Sequence, residues 1–227
     1  MLIGGVDDAG RGAIIGPLVV AGIVIERGLL PKLLSVGVKD SKLLSPNRRE
    51  KLIEEIINLV NDYHIVKLAP KEIDRVVEGG RRLHKLNRLE AKAMAEVILN
   101  LKPDIVYVDA SDVSPERFKA HILEELPFNV RIISKHKADR IYPVVSAASI
   151  IAKVERDREI TELSKRYGDI GSGYATDPKT IMFLENWIRR FGSYPDFVRK
   201  SWKPAKRIKR KLEEERKQTR LSDHIKA

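Results

Sequence analysis

Residues 2–6 form a short apolar run that ends in two adjacent acids, Asp7 and Asp8, and a glycine-rich turn follows directly. Such a run reads as a buried strand, which places both acids at its carboxyl end. Residues 18–25, aliphatic and largely β-branched after Pro17, predict a second strand pairing back on the first. Residues 26–45 read as a loop region containing Lys39-Asp40-Ser41-Lys42. Ser45 and Pro46 then supply an N-cap and a proline at the first helical position. Behind them Leu52, Ile53, Ile56, Ile57 and Val60 keep a helical period.

Residues 63–68 predict a third strand, and Pro70 opens a short helix to about residue 78 that Gly79-Gly80 ends. Residues 86–100 form a helix, with apolar positions at 86, 89, 93, 94, 97, 98 and 101. The apolar run 105–108 then terminates in Asp109, repeating the first pattern of a buried strand that delivers an acid at its end. A helix over 115–125 and a fifth strand over 130–134 lead to Lys135-His136-Lys137-Ala138-Asp139. The helix predicted over 144–167 begins with small residues, Ser146, Ala147, Ala148, Ser149 and Ala152, a face able to lie close against a sheet or a site. A glycine-rich loop over 168–178 carrying Tyr174, a helix over 178–191 and a charged helix over 203–217 complete the chain. Strands alternate with helices after an antiparallel-looking opening pair, so the fold class is α/β with a central mixed sheet. Acids at strand ends lie where such sheets place their sites.

Composition narrows the class. At 227 residues, 43% hydrophobic and 33% charged, the chain is of soluble globular type with room for one good core. It has no run of about 18 apolar residues. Its start lacks the basic and long apolar segments of a secretory signal, so no membrane association is expected. The lack of cysteine removes disulfides, thiolate chemistry and cysteine-based zinc sites, and fits a cytoplasmic location. Residues 199–227, with twelve Lys/Arg against four Asp/Glu, carry +8 of the net +11. A tail of that charge is either a solvated helix or a contact for a polyanion, most simply nucleic acid.

The turn after Asp7 and Asp8 is open to several readings. Its spacing is G-x-G-x-x-x-G rather than the dinucleotide fingerprint, and two carboxylates beside it would repel a pyrophosphate. No Gly-Lys-Ser/Thr follows, so it is no P-loop. It is either a plain connection or a place where backbone N–H groups approach a ligand. Adjacent carboxylates suit a hard cation such as magnesium or manganese. Asp109 reads either as a turn aspartate or as a further ligand, and Asp139 as a surface ion pair or a fourth metal-facing acid.

Six motifs occur here in the order of one family: Gly5-Val6-Asp7-Asp8-Ala9-Gly10-Arg11-Gly12, Lys39-Asp40-Ser41-Lys42, Tyr107-Val108-Asp109, His136-Lys137-Ala138-Asp139, Ser146 to Lys153, and Gly171-Ser172-Gly173-Tyr174. Over residues 2–204 the chain closely resembles archaeal ribonuclease HII, the type 2 ribonucleases H. The resemblance implies a ribonuclease H-like mixed β-sheet flanked by helices, with a helical C-terminal extension. The expected layout is a catalytic domain over 1–178, a basic helical extension over 179–217 and a flexible tail over 218–227. The additional N-terminal domain of type 3 relatives is not expected, since the first strand starts at residue 2.

The resemblance further implies an endonuclease that cleaves RNA in RNA/DNA hybrids and at ribonucleotides embedded in duplex DNA. It would use two divalent ions, Mg²⁺ or Mn²⁺, leave 5′-phosphate and 3′-hydroxyl ends, and act as a monomer. Asp7, Asp8, Asp109 and Asp139 match the family's acidic tetrad. Gly10, Arg11 and Gly12 match the turn whose backbone senses the ribose 2′-hydroxyl, and Tyr174 matches the tyrosine that packs on the neighbouring sugar. Lys42 and Lys153 are candidate phosphate contacts, with His136 and Lys137 balanced between that role and structural ion pairing.

The family normally has Glu where this chain has Asp8. The shorter acid reaches about 1.5 Å less far, whereas metal coordination tolerates only a few tenths of an ångström. Reduced activity or an altered metal preference is therefore expected, and in the extreme a member that binds hybrids without efficient turnover. Gln218, Leu221, His224 and Ile225 resemble a sliding-clamp-binding box that departs from the usual aromatic pair at its end. Competing readings are a DNA resolvase or transposase-like nuclease on the same fold, and a basic structural protein. The first needs no 2′-hydroxyl sensor, and the second needs no acids at three separate strand ends.

Overall fold

The computed structural model describes residues 1–38, 46–79 and 85–225, with the side chains of residues 46, 47 and 219–225 outside the description. Lys42 and its motif lie outside the described residues. The chain divides into two compact units. The first comprises Met1–Arg11, Leu18–Leu68 and Gly80–Arg158, and the second comprises Gly12–Pro17, Ala69–Gly79 and Glu159–Ala227. This division differs from a boundary at residue 178. It falls within one continuous helix, and it assigns the segment after the first glycine turn to the second unit.

The first unit is built on a five-stranded mixed sheet in the order β3-β2-β1-β4-β5. Its strands are β1 (Leu2–Ala9), β2 (Leu18–Glu26), β3 (Asp62–Leu68), β4 (Ile105–Asp109) and β5 (Arg131–Lys135). β1 runs antiparallel to β2, with Asp7 opposite Ala21, and parallel to β4, with Val6 level with Val108. β4 and β5 are parallel, with Asp109 level with Lys135. β2 is buried on both faces from Leu18 to Ile25, which is why it shows no polar alternation.

Helices cover both faces. α1 (Leu30–Ser35) follows a short 3-10 turn at Arg27–Leu29 inside the stretch read as loop. α2 (Pro46–Leu59) begins at the expected proline. Leu33 of α1, Leu52, Ile53 and Ile56 of α2, and alternate residues of β2 share a core with the start of α7 (Pro143–Tyr167). The small residues of α7 do let it approach the sheet: a Cβ at Gly5 would lie 2.2 Å from the Val144 carbonyl carbon. On the other face α4 (Lys85–Leu101) packs its side chains onto the sheet, for a Cβ at Gly22 would lie 2.3 Å from a Val97 methyl. α5 (Pro115–Glu124) is capped by Ser114, whose hydroxyl accepts from the Arg117 N–H. α6 (Ala138–Ile141) is a single turn.

In the second unit the α7 continuation, α8 (Pro178–Phe191) and α9 (Lys203–Ile225) pack around Ile14, Ile15, Ile170, Leu184, Tyr194 and Leu212. α3 (Pro70–Glu78) belongs to this unit, where the Asp74 carboxylate accepts from the N–H groups of Lys200 and Ser201. The glycine loop before α8 is tied down by its own polar groups. Asp177 caps the helix and accepts from the Ser172 N–H, while the Thr180 hydroxyl donates to the Ile170 carbonyl and accepts from the Gly173 N–H. α9 runs past residue 217, where the sequence pattern ends the helix. Among the described residues no helix is long and apolar enough to cross a membrane.

Candidate metal centre

β1 alternates faces as any strand does, so Ile3, Gly5, Asp7 and Ala9 point toward α7 while Asp8 points to the opposite face. One step beyond the Val6–Val108 pair, the parallel register sets Asp7 beside Asp109. Asp139 arrives by a separate device. Lys137 takes a left-handed conformation with φ of 55°, which turns the chain sharply after β5 and starts α6. That turn aims the Ala138 N–H at an Asp109 carboxylate oxygen, 3.3 Å away. Carboxylate oxygens of Asp7, Asp109 and Asp139 then lie within 4.8 Å of one another.

Three acids this close repel one another, and burial makes the repulsion worse. The Asp7 carboxyl is pushed well above its ordinary range, first by burial and then by the charges of Asp8 and Asp109. Hydrogen bonds from Ser149 and the Asp8 N–H oppose the shift. Asp109 is raised too, by burial and by Asp139 and Asp8, against the N–H groups of Ala138 and Lys137. The donor set is all hard oxygen, and bringing a divalent cation among these carboxylates would reverse the repulsion that raises them. The residues present therefore fit a divalent metal ion, with Asp7, Asp109 and Asp139 to hold it.

Asp8 is outside that convergence. Its carboxylate accepts from the Ser111 hydroxyl at 2.9 Å, and its effect on Asp7 and Asp109 is exerted through space. Strand alternation sets it on the face of β1 opposite Asp7.

Gly10 has φ of +86°, a conformation that side chains rarely adopt, so the turn after the acids requires glycine there. The Arg11 side chain turns inward and pairs with Glu90 and Asn87 of α4. Gly12 and Tyr174 lie in the second unit, where Ala13 bridges to Tyr174 and the Gly173 carbonyl accepts from the N–H groups of Ile14 and Ile15. Lys153 is half-buried on α7 with its ammonium enclosed, a placement better suited to pairing inside the unit than to an exposed contact. His136 sets its ring nitrogens 3.3 and 3.2 Å from the carbonyls of Ala110 and Val113, a structural role for the loop after β4. Gln218 is exposed, and the side chains of Leu221, His224 and Ile225 lie outside the described residues.

Sequence reasoning missed the groups that hold the acids. Ser149 shows in the sequence only as one of several small residues, and Ser111 lies in no motif. Glu90 is fully buried in mid-helix, where the signal was an acid interrupting the apolar face of α4.

A family model described as Ribonuclease HII matches residues 4–205. The ribonuclease HII of Thermococcus kodakarensis is 49% identical over 219 residues, covering 96% of this chain and 93% of that protein. This chain belongs to the ribonuclease HII family. The structure of the ribonuclease H2 from Pyrococcus horikoshii is similar with a TM-score of 0.86 at 44% identity, covering 94% of this chain and 99% of that one. The PCNA:RNase HII complex from Archaeoglobus fulgidus matches with a TM-score of 0.82 at 44% identity, covering 91% and 96% of the respective chains. These matches make the mixed sheet a ribonuclease HII sheet and put the chain in a family of nucleases.

Proposed function

We propose that this member of the ribonuclease HII family cleaves RNA in RNA/DNA hybrids, and DNA duplexes at embedded ribonucleotides, leaving 5′-phosphate and 3′-hydroxyl ends. The observation that carries the reading is the convergence of Asp7, Asp109 and Asp139 oxygens where β1 and β4 end and α6 begins. Two divalent ions, Mg²⁺ or Mn²⁺, when bound there supply the Lewis acidity for attack by water and departure of the 3′-oxygen. Ser149 fixes the Asp7 carboxylate and the Ala138 N–H fixes that of Asp109, so their oxygens are held before any ligand arrives. Asp8, held by Ser111, serves as the fourth acid by shaping the local charge.

Selection for RNA needs groups that meet the 2′-hydroxyl, which both donates and accepts. The backbone of Gly10, Arg11 and Gly12 takes this role, because glycine lets the main chain approach without side-chain bulk. Tyr174 packs on the adjacent sugar. Lys42 and Lys153 are the candidate phosphate contacts.

A labelled DNA duplex with a single ribonucleotide, incubated with Mg²⁺ or Mn²⁺ beside all-DNA and all-RNA duplexes, tests this. Cleavage of the ribonucleotide duplex and not of the all-DNA one is expected, with faster turnover in Asp8→Glu. Equal cleavage of all-DNA duplex would replace the reading with a DNA nuclease. Binding with no turnover in either metal, restored by Asp8→Glu, would make the chain a weakened member.

A second reading concerns the tail. The Archaeoglobus fulgidus relative has been seen with PCNA, and Gln218, Leu221, His224 and Ile225 are the residues here that would engage a sliding clamp. Calorimetry of the full chain with an archaeal clamp should show binding that Gln218→Ala weakens. Absence of binding, even with an aromatic pair restored at 224 and 225, would remove the idea.

A further inference from the structure

Next to the acids lies a partly buried polar chain, with Glu90 and Asp112 as its buried members, that the proposed reaction does not use. The Arg11 guanidinium donates to Glu90, whose side chain is fully buried, and to the Asn87 amide oxygen at 2.8 Å. Asn87 and Glu90 sit three residues apart on one face of α4. The Asn87 amide nitrogen in turn donates to Asp112 at 2.6 Å. Asp112 is gripped by the Arg117 guanidinium and by the Ser114 N–H at 2.9 Å. Burial would raise the Asp112 carboxyl, yet hydrogen bonds from Arg117, Ser114 and Asn87 hold it well below the usual range, so it stays ionised.

Both ends of this chain of contacts adjoin the site. Arg11 follows Gly10 in the turn after β1. Asp112 follows Ser111, whose hydroxyl holds Asp8. We propose that Arg11 is a positioning residue: its side chain clamps the Gly10 turn to α4 through Glu90 and Asn87, and Asn87 and Asp112 extend the clamp to the Ser111 loop that orients Asp8.

The inference rests on the proposed reaction and deepens it. A free arginine beside a nucleic-acid site would otherwise be read as a phosphate contact. Here two terminal nitrogens are already committed to Glu90 and Asn87, and the charge is matched by a buried carboxylate that could not lose its partner cheaply. The 2′-hydroxyl sensor is then rigid because of a group pointing away from the substrate.

Steady-state cleavage and hybrid binding at several salt concentrations separate the two roles. For a positioning residue, Arg11→Ala and Glu90→Gln should each lower kcat about 10- to 100-fold, the cost of a misplaced site. KM and the salt slope of binding should stay near wild type, and the double variant should be no worse than the poorer single one. Arg11→Lys, which keeps the Glu90 pair and loses the Asn87 arm, should recover part of kcat. For a phosphate contact, Arg11→Ala would weaken binding and reduce the salt slope by about 1. Glu90→Gln would then behave as wild type, and the proposal would fall. Independent multiplicative losses in the double variant would also overturn it. Should Glu90→Gln not fold, Arg11→Ala with Asn87→Ala tests the same coupling. Wild-type inactivity on every ribonucleotide substrate would instead sink the proposed reaction, with the binding cycle still reporting on the clamp.

Discussion

Asp7 and Asp112 are both buried aspartates of the same unit, and their environments push them in opposite directions. Asp7 ends a strand beside Asp8 and Asp109, and its charged form is disfavoured. Asp112 sits in the loop after the neighbouring strand, where a guanidinium, an amide and a backbone N–H favour its charged form. Burial alone therefore decides little. A buried acid with its donors in place is part of the scaffold, while buried acids facing one another are a site waiting for a cation.

The comparison breaks most visibly in activity. Asp109→Asn removes one of the three converging carboxylates and should lower kcat on a ribonucleotide-containing duplex by on the order of 10³-fold, the scale of losing a charge-stabilising group. Gel assays at saturating Mg²⁺ and Mn²⁺ check it, and near-normal turnover in either metal would dissolve the distinction between the two regions.

Metal binding comes next. Ions that bind only the folded acid cluster stabilise it by about 2.7 kcal/mol at 100 times Kd. Thermal unfolding should show this rise with Mg²⁺ or Mn²⁺ in wild type and in Asp112→Asn, and its loss in Asp109→Asn. A rise that Asp112→Asn abolished would mean that the scaffold acid is the ligand.

The pH dependence of metal-free protein gives opposite signs. The folded carboxyl of Asp7 is raised, so its contribution is full below the ordinary value of 3.8 and is lost as pH rises through the folded one. Asp7→Asn should therefore raise the melting temperature at neutral pH and match wild type below 3.8. For Asp112 the folded value is depressed, so its contribution is present above 3.8 and is lost as pH falls through the folded one. Asp112→Asn should cost about 1.5 to 3 kcal/mol at neutral pH, the range for hydrogen bonds to a charged group, with the gap closing in acid.

Ser149→Ala is the smallest change. It removes one hydrogen bond that favours the charged form of Asp7. The loss should be about tenfold in apparent metal affinity, the lower end for groups that orient a ligand. A metal titration of activity measures it, and an unchanged midpoint would show that the strand alone orients Asp7.

Much of this was legible before any coordinates. Pro46, Pro70, Pro115 and Pro178 each begin a helix, because a proline at the first turn sacrifices no hydrogen bond. The apolar runs that end in Asp7 and Asp109 are β1 and β4. The resemblance carried the family, and the family match upholds it. What escaped was short or dependent on partners. α1 is only six residues long and hid inside a presumed loop, and α6 depends on a left-handed lysine that no pattern announces. The division into units was also hidden, since Gly12–Pro17 joins Ala69–Gly79 and Glu159–Ala227, segments distant in sequence.

By itself the sequence determined which residues form strands, where helices begin, and that acids sit at strand ends next to a glycine turn. These follow from local sterics, side-chain period and backbone hydrogen-bonding limits, which act over a few residues. Only the tertiary structure decided that Asp7, Asp109 and Asp139 converge while Asp8 turns to Ser111, and that Arg11 is spoken for by Glu90. Those outcomes depend on the parallel pairing of β1 with β4 and on the helices packed over each face. Charge interactions are set by distance and burial, and neither exists until segments about 100 residues apart are brought within a few ångströms.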